Sequence, residues 1–165
     1  SAALSYIYKI YIRPTLEYSS MAWSGLPQHL SDRLERFQRR AAKIILRKPM
    51  FTPSDHHELL NTLGWETLSS RRILRQAVLG HRIATRTAPQ HLLNEAFPRR
   101  ETPYSLRRTE HFLTPIPNTY LYQSSPLFMA AKVYNSLPSS IKTAKNFTQA
   151  AKIHILSSVC TCSNH

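Results

Sequence analysis

Apolar residues recur at steps of three and four along most of the chain, and prolines and glycines interrupt them. Over residues 3–18 the stripe is Leu4, Ile7, Tyr8, Tyr11, Ile12 and, beyond Pro14, Leu16. Pro14 is expected to kink or break this helix, because it lacks a donor and crowds the preceding turn. Ser24-Gly25-Leu26-Pro27 reads as a turn. The clearest helix spans 31–47, with Ser31 or Asp32 as its cap and Leu34, Phe37, Ala41, Ile44 and Ile45 as the inward stripe. Pro49 and Pro53 mark a loop, and a short helix over 55–63 ends at Gly64, a natural C-cap. A long helix comes next over 67–86, with Leu68, Ile73, Ala77, Ile83 and Ala84 inside, and Pro89 opens a further short helix through Ala96.

Residues 98–126 differ in character. Pro98, Pro103, Pro115, Pro117 and Pro126 punctuate them, so an extended excursion is expected, with Leu106–Thr114 and Thr119–Tyr122 as short-strand candidates that could pair as a β-hairpin. Helix returns over 126–137, with Phe128, Ala131, Val133 and Tyr134 inward, and Pro138 ends it. Ser139–Ala144 offers one more turn, and Asn146 with Gln149 forms a capping-box pattern for a last helix through about Ser157. The pattern therefore predicts a mainly α, multi-helix bundle. It divides into a helical region over 1–97, the Pro-rich segment over 98–126, C-terminal helices over 127–157 and a flexible tail over 158–165.

Charge changes this picture. Lys and Arg number 22 against 9 acids, a formal net charge of +13. Such an excess attracts polyanions, namely RNA, DNA or an anionic membrane surface. Arg33, Arg36, Arg40, Lys43 and Arg47 share one face of the 31–47 helix, and only Asp32 and Glu35 are at hand to balance them. A face of nearly one sign is costly without an anionic partner. The 67–86 helix carries Arg71, Arg72, Arg75, Arg82 and Arg86 on its polar side. In the excursion, Arg99, Arg100, Arg107 and Arg108 stand beside Tyr104, Phe112, Tyr120 and Tyr122. Either the aromatics stack on the bases of a single strand, or they anchor the loop to the helices. The candidate nucleic-acid-binding residues are thus Arg33, Arg36, Arg40, Lys43, Arg47, Arg71, Arg72, Arg75, Arg107 and Arg108. A purely helical docking module is the main alternative, with Tyr6, Ile7, Ile10 and Tyr11 as its surface. No apolar run approaches the ~20 residues of a spanning helix, and peripheral membrane binding, which Trp23 and the arginines permit, ranks last because the basic helix has a modest apolar stripe.

Catalytic chemistry is thin. A two-metal polymerase site needs clustered aspartates, and the chain holds only Asp32 and Asp55, in unrelated contexts. Three glycines exclude a Gly-rich phosphate loop. His56 and His57 are adjacent and so point to different faces of a helix. Cys160, Cys162 and His165 make half of a zinc knuckle on a terminus, so no metal or cofactor site is expected. The sparse cysteines read as intracellular, and the helical pattern running from Ser1 reads as the middle of a longer chain.

Five segments, in order, resemble the C-terminal part of non-LTR retrotransposon (LINE-type) reverse transcriptases. They are Tyr8-Lys9-Ile10-Tyr11-Ile12-Arg13-Pro14-Thr15-Leu16-Glu17-Tyr18 with Ala22-Trp23-Ser24; Leu34-Glu35-Arg36-Phe37-Gln38-Arg39-Arg40-Ala41; Leu63-Gly64-Trp65-Glu66-Thr67-Leu68 with Arg71-Arg72; Tyr104-Ser105-Leu106-Arg107; and Ala131-Lys132-Val133-Tyr134-Asn135-Ser136-Leu137-Pro138. Tyr134 stands where the family usually has Trp. The resemblance implies the thumb and downstream region of an RNA-directed DNA polymerase, gripping template-primer duplex or element RNA. It implies that the fingers and palm, with the Mg2+-binding aspartates, lie before Ser1, so that this part is inactive alone. It also implies the palm as a partner and the nucleus, where such elements are copied, as the compartment.

Overall fold

The computed structural model describes residues 2–23, 25–51, 55–98 and 111–161. It is mainly helical, and no strand forms among the described residues. The chain divides into two compact units: Ser1–Ser20 with Leu26–Arg72, and Met21–Gly25 with Ile73–His165. The division falls inside the long 67–86 helix and not at the Pro-rich boundary read from the pattern.

The first unit opens with α1 (Ala2–Ile7), a π-helical turn (Tyr8–Ile12) and α2 (Arg13–Glu17). Pro14 does not end the helix. The Arg13 N–H reaches back to the Tyr8 carbonyl, the wide π spacing, and Pro14 then sits in the first turn of α2 where its missing donor costs nothing. Beyond it come α3 (Gln28–Ile45) and α4 (His56–Leu63). The α4 ends obey the expected chemistry. Asp55 accepts from the His57 N–H at 3.2 Å, and Gly64 turns left-handed at φ 62°. The core joins Tyr8, Ala42, Ile45, Leu59, Leu60 and Trp65, with the Tyr8 and Trp65 rings stacked at 4.2 Å.

Helix α3 departs from the expected face. It begins at Gln28 after Pro27, so neither Ser31 nor Asp32 caps it. Its buried side is Ser31, Gln38, Ala42, Lys43 and Ile45, whereas Phe37 and Ile44 are exposed. The buried side consists largely of small or hydrogen-bonded residues, which a hydrophobic pattern scores as neutral.

Helix α5 (Leu68–Ala84) starts in the first unit and continues into the second. The second unit then holds α6 (Gln90–Glu95), α7 (Tyr120–Gln123), α8 (Pro126–Ser136), α9 (Ser139–Lys142) and α10 (Phe147–Thr161). The core gathers Ala77, Ile83, Ala84, Phe112, Ala131, Tyr134, Leu137, Phe147, Ala151 and Ile155. Thr119–Tyr122, read as a strand candidate, is instead the start of a helical turn. Thr119 Oγ1 accepts from the Tyr122 N–H at 3.2 Å, and this side-chain cap wins over strand propensity. Within Leu106–Thr114 only His111–Thr114 are described; the Leu113 N–H donates to the Pro98 carbonyl at 3.0 Å, and the Asn135 side chain binds the backbone beside it. Its Oδ1 accepts from His111 and Phe112 N–H at 3.0 Å each, and its Nδ2 donates to the Phe112 carbonyl at 2.9 Å.

Gly80 sets how closely α5 and α8 approach. A methyl group there would sit 2.6 Å from Tyr134 Cβ and 2.8 Å from the Ala130 carbonyl. Gly80→Ala should therefore destabilise the second unit by about 1–3 kcal/mol, measured by urea unfolding; a neutral or stabilised variant would refute the tight contact. Next along α5, His81 stacks on Phe147 at 4.0 Å, and its buried Nδ1 finds no hydrogen-bond partner among the described residues. Burial holds its pKa below the ordinary 6.5, so the unfolded chain takes up this proton first as pH falls. The His81 contribution to stability is complete above about pH 6.5 and declines as pH drops through that value toward the depressed one. The unfolding temperature should fall across this window, and His81→Phe should shallow the slope; an unchanged slope would assign the pH dependence to other groups.

Candidate nucleic-acid interface

The first unit holds six of the nine acids, and the structure occupies each of them. Glu17 is buried at 6% exposure and receives Arg71 through Nε and, at 3.2 Å, through Nη2. Glu66 takes the other arm of Arg71 at 3.6 Å. Glu35 accepts from the Ser69 N–H at 2.8 Å and meets His56 Nε2 at 3.2 Å, placing a carboxylate against the first turn of α5. Asp32 takes Gln28 at 2.9 Å, Asp55 caps α4, and Glu58 pairs with Lys48 at 3.5 Å.

The cations sort accordingly. Among the described residues, Arg33, Arg36 and Arg40 are exposed and have no acid within ion-pair distance. They share a face of α3 with Phe37, and the four line a shallow depression of about 150 Å³. Arg47 is exposed just past the helix end, at φ 53°.

Three candidates turn inward. Lys43 is buried and donates to the Met50 carbonyl at 3.0 Å, closing the loop after α3. Arg72 is buried and donates to Ser31 Oγ, and desolvation lowers its pKa. Arg71 is held by Glu17, and that hydrogen bond raises its pKa. These three serve the fold of the first unit, because Glu17 and Glu66 hold Arg71, Ser31 Oγ holds Arg72 and the Met50 carbonyl of the following loop holds Lys43. Arg75 is half-buried in the second unit. Arg107 and Arg108 lie outside the described residues, as does Tyr104. Phe112 is buried at 2% and anchors the chain, while Tyr120 is exposed and donates to the Gly25 carbonyl at 2.9 Å.

Two members of this surface were hidden in the sequence: Phe37, expected in the core, and Arg39, which is exposed beside Arg40. The signal was present in the adjacency Arg36-Phe37 and Arg39-Arg40, but the helix phase hid it. Among the described residues, no group of three His, Cys, Asp or Glu gathers to hold a metal, and no helix is long and apolar enough to cross a membrane. Cys162 and His165 lie outside the described residues.

No family model, no curated protein and no solved structure matches this chain.

The buried Glu17–Arg71 pair generates a test. Glu17→Gln leaves a half-buried guanidinium with one distant acid, and a cost of about 3 kcal/mol is expected in urea unfolding. Loss of less than about 0.5 kcal/mol, the range of an exposed pair, would refute a structural role for it.

Proposed function

We propose that this chain is a non-catalytic nucleic-acid-binding region of a non-LTR retrotransposon reverse transcriptase, corresponding to the thumb and the region downstream of it. The observation that carries the binding role is the unneutralised face of α3. Arg33, Arg36 and Arg40 stand together in solvent with no acid within ion-pair distance, while Glu17, Glu35, Glu58 and Glu66 of the same unit are paired elsewhere. Arginine forks pair well with phosphate oxygens, and phosphate contact needs no base sequence. The ordered motifs supply the family assignment. On that assignment the palm of the same polyprotein is the covalent partner, Mg2+ belongs to the palm, and the site of action is the nucleus.

Binding to an RNA–DNA hybrid should weaken steeply with salt, with log K falling by ~0.9 per phosphate contact per log unit of salt. Arg33→Ala/Arg36→Ala/Arg40→Ala should lower affinity at low salt and flatten that slope by about three contacts' worth. Titrations of both proteins at several salt concentrations check this. Salt-independent binding, or a triple variant with unaltered slope, would overturn the role of α3.

A second reading rests on the N-terminal helix. Tyr6 and Tyr11 are 67% and 70% exposed, and Ile7, Ile10 and Ile12 are also exposed. A module whose main work is docking to another protein would use that surface. Concentration-dependent association without nucleic-acid affinity would favour it.

A further inference from the structure

Helix α3 buries polar side chains beside the apolar Ala42 and Ile45. Its inner side takes Ser31, Gln38 and Lys43, each held by a specific polar contact: Arg72 to Ser31, Gln38 Nε2 to the Glu66 carbonyl at 2.9 Å, and Lys43 to the Met50 carbonyl at 3.0 Å. Its outer side presents Phe37 at 54% exposure in the middle of Arg33, Arg36 and Arg40. An isolated exposed apolar residue needs no explanation. A phenyl ring that forms part of an arginine-lined depression is a different object, because its neighbours repel one another and attract an anion.

We infer that the Arg33–Arg36–Phe37–Arg40 depression on α3 takes an unpaired base of a single-stranded nucleic acid, the Phe37 ring stacking on the base and the arginines holding the flanking phosphates. This rests on the nucleic-acid reading of the same face and names the form of nucleic acid that it favours. Arg33 and Arg40 are separated along the helix by a rise of about 10 Å, comparable to three nucleotides of a stacked strand at ~3.4 Å each. Phe37 lies between them. Stacking on a phenyl ring needs an exposed base face, which an unpaired strand offers and the interior of a duplex withholds. Base stacking tolerates any sequence, because every base has a π-face. The site therefore selects strandedness without reading sequence. An anionic membrane would also accept arginines around a phenyl ring. The depression favours the strand because its other lining residues are Arg33, Arg36 and Arg40, at positions i−4, i−1 and i+3, so the ring sits among cations, and the exposed Ile44 one heptad on lies outside it.

The test uses the full chain, an oligothymidylate of ~12 nucleotides, an abasic strand of equal length and a blunt duplex, within the length range that single-strand sites span. The wild type should bind the thymidylate strand more tightly than the abasic one. Phe37→Ala should reduce thymidylate affinity by about five- to a hundredfold and leave abasic-strand and duplex affinity nearly unchanged. Phe37→Trp should restore the preference, with its indole fluorescence quenched by the bound strand. Phe37 is exposed, so both variants retain the fold, which circular dichroism verifies. Equal loss on all three ligands, or no loss on any, overturns the inference. Phe37-dependent binding to phosphatidylserine vesicles, with no dependence for oligonucleotides, also overturns it and assigns the ring to a membrane. Arg36→Ala/Arg40→Ala separates the two levels. If it weakens every nucleic acid while Phe37→Ala changes nothing, the nucleic-acid reading stands and the stacking inference falls. If it too changes nothing, both fall.

Discussion

The pairing of the buried Glu17 with the half-buried Arg71 governs the first unit. Taking two charges out of water is unfavourable, and the structure offsets that by giving each further partners. Arg71 also meets Glu66, and the same region seats Gln38 on the Glu66 carbonyl and Glu35 on the α5 amide. Polar contacts therefore do what an apolar seam does elsewhere, tying α2, α3 and the start of α5 together. Tyr8 lies beside this network, and burial pushes its hydroxyl pKa up to about 12. The apolar core of Tyr8, Trp65, Leu59 and Leu60 is small, so the unit depends on the charges being matched.

That matching has an effect on the surface. Glu17, Glu35 and Glu66, used to build the interior, are unavailable to neutralise the outside, and α3 is left with a face on which Arg33, Arg36 and Arg40 outnumber Asp32. The excess of basic residues in the composition thus concentrates where the fold has withdrawn the counter-charges. The same interior explains why Lys43, Arg71 and Arg72, indistinguishable by residue type from Arg36 or Arg40, are not part of that face. Each has an acceptor within reach on its own side of the helix, and an acceptor's position is a tertiary fact.

Much of the architecture was legible in the chain. Helix existence is set by the 3.6-residue recurrence, and ends of α4, α6 and α10 by Gly64, Pro89 and Asn146. The failures have physical causes. The α3 phase is not legible from apolar spacing because Ser31, Gln38 and Ala42 carry little hydrophobic signal, yet all three are buried. At Tyr120–Gln123 the β-propensity of the tyrosines gives way to the Thr119 cap, so a helical turn forms where the pattern predicts a strand. Of the binding candidates, Arg33, Arg36, Arg40 and Arg47 were legible as exposed cations on a helix. Phe37 was not, since apolar character argues for burial until the neighbours on every side are known.

The π turn at Tyr8–Ile12 carries one more consequence, visible as angular phase. In an unbroken α-helix, residues nine apart such as Tyr8 and Glu17 would point about 180° apart, and one of them would face solvent. The wide turn absorbs one residue, which leaves an effective separation of eight and a phase difference of about 80°. The ring that packs on Trp65 and the carboxylate that receives Arg71 thereby come to the same side of a single rod, and both are buried. What the sequence shows as a helix crossed by an awkward proline is a helix with one residue of slack, inserted where the inward face had to be brought back into line.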